Sequence, residues 1–221
     1  DQRAYEDFCA NQEAVEKFTL DKPALVCRWR ISNKKVPMLN RHIRALSERL
    51  VQGEPLTHNM LSWAKQHVEW SLAEGDYTAH DGVLMLVIDI NGNAAMTVGE
   101  YEPLADTSAK ALRARSAEAR SEADETGVAP ELLAAVNNGE LAFVAPADEF
   151  LCGTATLIEQ LAQTKGIPVT RVDIPAQLKG ALFLVSDEHG VVPATDGDAA
   201  DSDAATVAFF ADGYEKLRAR R

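Results

Sequence analysis

Apolar and polar positions change period several times along this 221-residue chain, and the changes divide it into elements. Residues 4–18 place Tyr5, Phe8, Cys9, Val15 and Phe18 at roughly helical spacing, which predicts an amphipathic opening helix. Asp21, Lys22 and Pro23 end it, and Ala24–Ile31 then alternates apolar and polar residues as a half-buried strand does. A turn at Ser32–Lys35 leads to a returning strand at Val36–Leu39. Asn40 is placed to cap a helix through Val51, with Ile43, Leu46 and Leu50 on one face. A second helix is expected over Leu56–Leu72. Val83–Ile90 is apolar at nearly every position, which predicts a central strand; Asn91-Gly92-Asn93 then turns the chain into Ala94–Val98.

Gly99–Ser108 contains Pro103 and has no period, so it is expected to link two halves. Beyond it, Ala109–Thr126 carries charges at three- and four-residue spacing, as an exposed helix does, and Gly127 stops it. A short helix is expected from Pro130 to a turn at Asn137-Asn138-Gly139. Then come a helix at Thr154–Thr164, strands at Pro168–Ile174 and Ala181–Ser186, a turn at Asp187–Gly190, and extended chain at Val191–Pro193. A final helix covers Asp203–Arg221, capped by Asp203. Strands mixed with helices, and hairpins in the first half, point to an α/β (α+β) fold.

Composition narrows the function more than the fold. A net charge of −12 argues against a nucleic-acid or anionic-membrane binder, because both demand a basic surface. The basic runs Lys110–Arg120 and Lys216–Arg221 fall on helices and are expected to be solvated faces. Three cysteines, Cys9, Cys27 and Cys152, are odd in number and widely spaced, which fits reduced thiols in a cytoplasm. No apolar run reaches the length of a membrane span, and the first residues lack a signal-peptide pattern. A cytoplasmic protein is expected.

Candidate chemistry is sparse. The acidic loop Asp196–Asp203 fails the spacing of a calcium-binding EF-hand loop, since Ala200 and Val207 fall where carboxylates are needed. The histidines His42, His58, His67, His80 and His189 show no paired metal-ligand spacing. Phosphate-loop, dinucleotide and nucleophile-elbow sequences are missing. Cys152 precedes a helix, where a thiolate is favoured, but a buried structural cysteine is the plainer role. Lys110 opens a helix beside the expected linker, where desolvation would make it a usable amine nucleophile, but an ordinary solvated lysine is the plainer role.

Two stretches carry a resemblance. Val26–Leu46, which includes Arg28-Trp29-Arg30-Ile31 and Arg41-His42-Ile43-Arg44-Ala45-Leu46, resembles the opening of the class IV pyridoxal-phosphate (PLP) aminotransferases. Leu157–Val172, with Gly166-Ile167-Pro168-Val169, and Leu182–Tyr214, with Gly190-Val191-Val192-Pro193, look like that family's closing third. The resemblance implies a small N-terminal α/β domain, residues 1–105, and a larger mixed strand/helix domain, residues 106–221, with PLP in the cleft between them and a homodimer. It implies an aminotransferase or an aminodeoxychorismate lyase acting on a small amino substrate. Lys110 would be the catalytic lysine that forms the Schiff base, with Arg113 beyond it. Arg44, Thr154 and Ser186 would hold the cofactor phosphate.

Other positions depart from the family pattern. The phosphate-binding Arg falls on Ala45, next to Arg44, and the Glu of the opening strand falls on Cys27. The Glu that holds the pyridine nitrogen becomes Phe143, and a following Asn becomes Asp148. These departures support an alternative: a PLP-free descendant, a pseudoenzyme that binds a small molecule or a partner. An unrelated α/β scaffold is the third reading.

Overall fold

The computed structural model describes residues 20–74, 81–127, 129 and 131–220, so the expected helix over residues 4–18, Cys9 and His80 lie outside the described residues. Two main sheets organise the chain. The first has strand order β1-β4-β5, all antiparallel, with β1 at Pro23–Ser32, β4 at Asp81–Asp89 and β5 at Ala94–Glu100. The apolar strand β4 is central, as its pattern predicts. Leu84, Leu86 and Ile88 are fully buried on one face, while Val83, Met85 and Val87 are half-buried on the other. Helices α1 (Leu39–Ser47) and α2 (His58–Glu74) are the helical partners in its core, which is centred on Trp29, Ile31, Leu46 and Val68. A two-stranded hairpin, β2 (Leu50–Val51) with β3 (Glu54–Pro55), lies between them in sequence.

The second sheet follows α3 (Ala109–Thr126), which has the predicted bounds; Ser108 Oγ caps it by accepting from Ala111 N at 3.2 Å, and Gly127 closes it at φ 71°. Strand order is β10-β9-β6-β7-β8. These strands are β6 (Leu132–Asn137), β7 (Glu140–Val144), β8 (Val169–Val172), β9 (Ala181–Ser186) and β10 (Gly190–Pro193), with only β7–β8 parallel. Helices α4 (Gly153–Thr164) and α5 (Asp201–Arg218) share one core with this sheet, and α3 shares the other.

Several local expectations fail for physical reasons. No helix runs into Asn137. Along β6, Leu132, Ala134 and Val136 belong to one core and Leu133 and Ala135 to the other, so a strand buried on both faces gives a continuous Leu/Ala run that mimics a buried helix. The expected strand at Val36–Leu39 is reduced to a bridge between Ser32 and Lys35. Pro37 has no N–H to give a ladder, and Met38, at φ 58°, turns the chain so that its carbonyl accepts from Arg41 N and His42 N. Met38, not Asn40, therefore begins α1, which ends at Ser47; Gln52 and Gly53, both at positive φ, form the tight turn of the β2–β3 hairpin that replaces the expected last turn of helix. Asp203 is not a cap. Helix α5 starts two residues earlier, and the buried Asp203 carboxylate accepts from Asn138 N and Gly139 N at 3.0 Å each, fixing the β6–β7 turn. The basic face of α3 is not simply solvated either, because Arg113 donates to Pro175 O and Leu178 O, Arg115 pairs with Glu131, and Arg120 pairs with Glu149.

The two sheets meet along the outer edge of β1. Strand β4 takes one side of β1; on the other side Val26 N donates to Gly127 O and Arg30 N to Asp187 O, at 3.2 and 3.1 Å. The exposed edge of one sheet is thereby closed by two turns of the other half.

Candidate functional site

The seam beside β1 holds the cleft. Its lining includes Cys27 and Trp29 from β1, His42, Ala45 and Leu46 from α1, Arg49, and Leu151, Cys152 and Asp187 from the second half. Among the described residues, this cavity measures about 20 Å³ and opens toward solvent.

Asp187 is the hub. One of its carboxylate oxygens accepts from Thr154 N at 2.9 Å and from Thr154 Oγ1 at 2.8 Å, so the first turn of α4 is capped from a distant loop. That position is where a helix N-terminus favours negative charge and would receive an anion. His42 closes the other side, with Nδ1 3.6 Å from the same oxygen and no hydrogen-bond partner of its own. Burial pushes the His42 pKa down, against the opposing pull of Asp187. Its ring stacks on Trp29, with centroids 5.3 Å apart. Helices α1 and α4 touch closely here: a Cβ at Gly153 would lie 2.4 Å from His42 Nδ1. Arg41 completes the contact through hydrogen bonds to Thr156 Oγ1 and Gln160 Oε1.

Both thiols of the cleft are electrostatically inert. Burial pushes Cys27 up to about 12, with Arg49 pulling it down, and burial followed by the Asp187 charge raises Cys152 well above the ordinary thiol range. Cys152 does sit at the N-cap of α4, but burial and the nearby Asp187 charge favour the proton on sulfur.

The residues singled out in the sequence do not converge. Thr154 and Ser186 are buried and flank Asp187 in space or sequence, but their polar atoms are already used: Ser186 Oγ accepts from Glu188 N at 3.2 Å and His189 N at 3.0 Å. Arg44 is exposed and donates to Asn40 O of its own helix. Lys110 is exposed in the first turn of α3, where Ala109 N donates to Asp196 Oδ1. The C-terminal end of that helix, at Gly127, is the end that Arg49 of the cleft touches. At 1.5 Å per residue, Lys110 lies about 25 Å from there along the helix axis. Phe143 is fully buried among apolar side chains of the α4/α5 core.

Sequence reasoning passed over Asp187, His42, Arg41 and Arg49. The one available signal was an acid directly after the buried strand Ala181–Ser186.

PLP does not fit these residues. Among the described residues, the α4 N-terminus in the cleft already holds a carboxylate, Phe143 offers nothing to a pyridine nitrogen, and Lys110 is remote.

No family model matches the sequence, and no curated protein matches it. Solved structures do. A candidate branched-chain amino acid aminotransferase from Thermotoga maritima superposes with a TM-score of 0.59 at 14% identity, over 93% of this chain and 92% of that one. A fold IV transaminase from Curtobacterium pusillum gives 0.58 at 15% identity, over 89% and 86%. An aminotransferase from Brucella abortus bound to PLP gives 0.53 at 12% identity, over 86% and 89%. The chain has the class IV PLP-enzyme fold.

Proposed function

We propose that this chain is a PLP-independent member of the class IV fold, a pseudoenzyme whose cleft has been taken over by its own side chains. The observation that carries the reading is the Asp187 carboxylate bonded to Thr154 N and Oγ1. An incoming phosphate would need the same two donors and would meet a negative charge at close range. Losing cofactor donors weakens binding; filling their place with an acid opposes it. Such a descendant would bind a small molecule or a partner protein in place of the cofactor. The two-part division at residues 105 and 106, a homodimer and a cytoplasmic location belong to this proposal; among the described residues no helix is long and apolar enough to cross a membrane.

The competing reading, an aminotransferase- or lyase-like enzyme with Lys110 as its catalytic lysine, draws its support from the fold, since one of the similar structures is bound to PLP. One experiment separates them. Purified protein is mixed with PLP, its visible spectrum recorded, and borohydride added before peptide mass spectrometry. The proposal expects no protein-bound chromophore and no specifically labelled lysine. A stoichiometric chromophore trapped on one lysine sinks it, and trapping on Lys110 would establish the enzyme reading.

A further inference from the structure

A second group of ionisable side chains gathers where the β9–β10 turn meets α3 and the residue before β6. Glu131, Glu188 and His189 each turn one donor atom toward the others, and these atoms all lie within 4.8 Å of one another. We propose that the three side chains bind a divalent first-row transition cation.

Their surroundings differ from those of a solvated acidic patch. The His189 side chain is only 4% exposed; its Nδ1 lies 3.1 Å from the Tyr101 hydroxyl, and its Nε2 faces Glu188 at 3.7 Å, beyond hydrogen-bond reach. In the tautomer whose Nδ1–H donates to the Tyr101 oxygen, Nε2 presents a lone pair, the arrangement by which a neighbouring group fixes a ligating imidazole. Glu131 divides its two oxygens between roles: Oε1 accepts from Arg115 Nε at 2.6 Å, and Oε2 is buried with no hydrogen-bond partner. Glu188 brings a second carboxylate against Glu131, and the two share the Arg115 guanidinium, whose Nη2 lies 3.8 Å from Glu188 Oε2. A dication seated between them would answer both the orphaned oxygen and the crowded charge.

Geometry and scaffold agree with this. Donors ~2.0–2.2 Å from a zinc ion stand roughly 3.3–3.6 Å apart in a tetrahedron, so the side chains need to close by no more than about 1.5 Å. The Ser186 hydroxyl pins the backbone of Glu188 and His189, and Leu132, next to Glu131, pairs in register with Val185 of β9. Glu188 remains 23% exposed, leaving an entry path and room for water ligands. One imidazole with two carboxylates suits zinc, manganese or iron(II) better than magnesium or calcium, which prefer oxygen alone.

The test is zinc titration of the full chain after chelator treatment, read by calorimetry and metal analysis. One ion per chain is expected. Affinity should fall more than tenfold in Glu131→Gln, Glu188→Gln and His189→Gln, and ~10–100-fold in Tyr101→Phe, which touches only the imidazole. His58→Gln, at an exposed position, should leave it unchanged. Proton NMR of the unmodified protein gives a readout independent of any variant's folding: zinc should shift the His189 ring and spare the other imidazoles. Absence of stoichiometric binding overturns the proposal, as does binding that survives the three substitutions or shifts a different histidine.

Discussion

Replacing Asp187 by alanine removes one carboxylate and leaves two donors stranded. Thr154 is fully buried, and its N–H and hydroxyl both point at Asp187 at 2.9 and 2.8 Å. Loss of an N-cap acceptor costs ~0.5–2 kcal/mol. A buried hydroxyl left without its acceptor adds ~1–3 kcal/mol. Relief of the carboxylate's own desolvation offsets part of this, so Asp187→Ala should destabilise the protein by about 2–4 kcal/mol. In equilibrium urea unfolding this moves the midpoint down by roughly 1 M for a slope near 2–3 kcal/mol per molar. The variant should also gain a property. With the carboxylate gone, the α4 N-terminus is open to an anion, and inorganic phosphate should raise the variant's midpoint with concentration as a ligand does. In the unmodified protein each unit charge on phosphate meets Asp187 at a cost of ~4 kcal/mol for a 4 Å separation near the surface, so phosphate should do no more than chloride at equal ionic strength. A loss below about 0.5 kcal/mol, or equal stabilisation of both proteins by phosphate, would refute the reasoning. Asp187→Asn, which keeps an acceptor oxygen without the charge, should fall between the two.

Gly153→Ala places a methyl 2.4 Å from His42 Nδ1 and should cost ~1–3 kcal/mol in the same urea assay by forcing α1 and α4 apart. Burial holds the His42 pKa below 6.5 in the folded protein, with Asp187 and Arg41 the charged groups facing it, so the unfolded chain takes up the proton first. Stability therefore falls as pH drops through the unfolded value of about 6.5, and urea midpoints measured from pH 7 downward should decline less steeply in His42→Gln. Asp203→Ala removes the acceptor of Asn138 N and Gly139 N and should cost ~2–3 kcal/mol by thermal melting. Phe143→Glu, which installs the carboxylate that the family carries at the pyridine nitrogen, puts a charge at a fully buried apolar site. It should lower stability by more than about 4 kcal/mol and produce no PLP chromophore.

Much of the fold was legible because burial left a periodic trace. Helix α3 has its predicted bounds, since the charge spacing and Gly127 are local signals. Strands β4 and β9 announced themselves by β-branched and apolar runs bounded by turns. What failed was local chemistry that tertiary contacts outvoted. The run Leu132–Val136 has helix-forming residues, and only the two cores on either side of β6 decide that it is a strand. Asp203 has the right type and place for a cap, and it was recruited instead by a turn 65 residues away.

The cleft was illegible for a deeper reason. An acid in the turn Ser186-Asp187-Glu188-His189 is the ordinary occupant of such a turn, and nothing near it in sequence says that its side chain reaches Thr154, 33 residues back, or approaches His42 in the other half. Counting altered positions at 27, 45 and 143 could only list missing donors, and missing donors can be replaced: Arg44 stands beside Ala45, and Arg49 lines the cavity. An occupied seat cannot be compensated in that way. While the Asp187 carboxylate holds Thr154 N and Oγ1, any anion that enters must first displace it, breaking two short hydrogen bonds and moving a backbone whose carbonyl also accepts from Arg30 N. On the proposed reading the decisive residue is therefore Asp187, and the identity of the lysine matters only if that carboxylate can be made to leave.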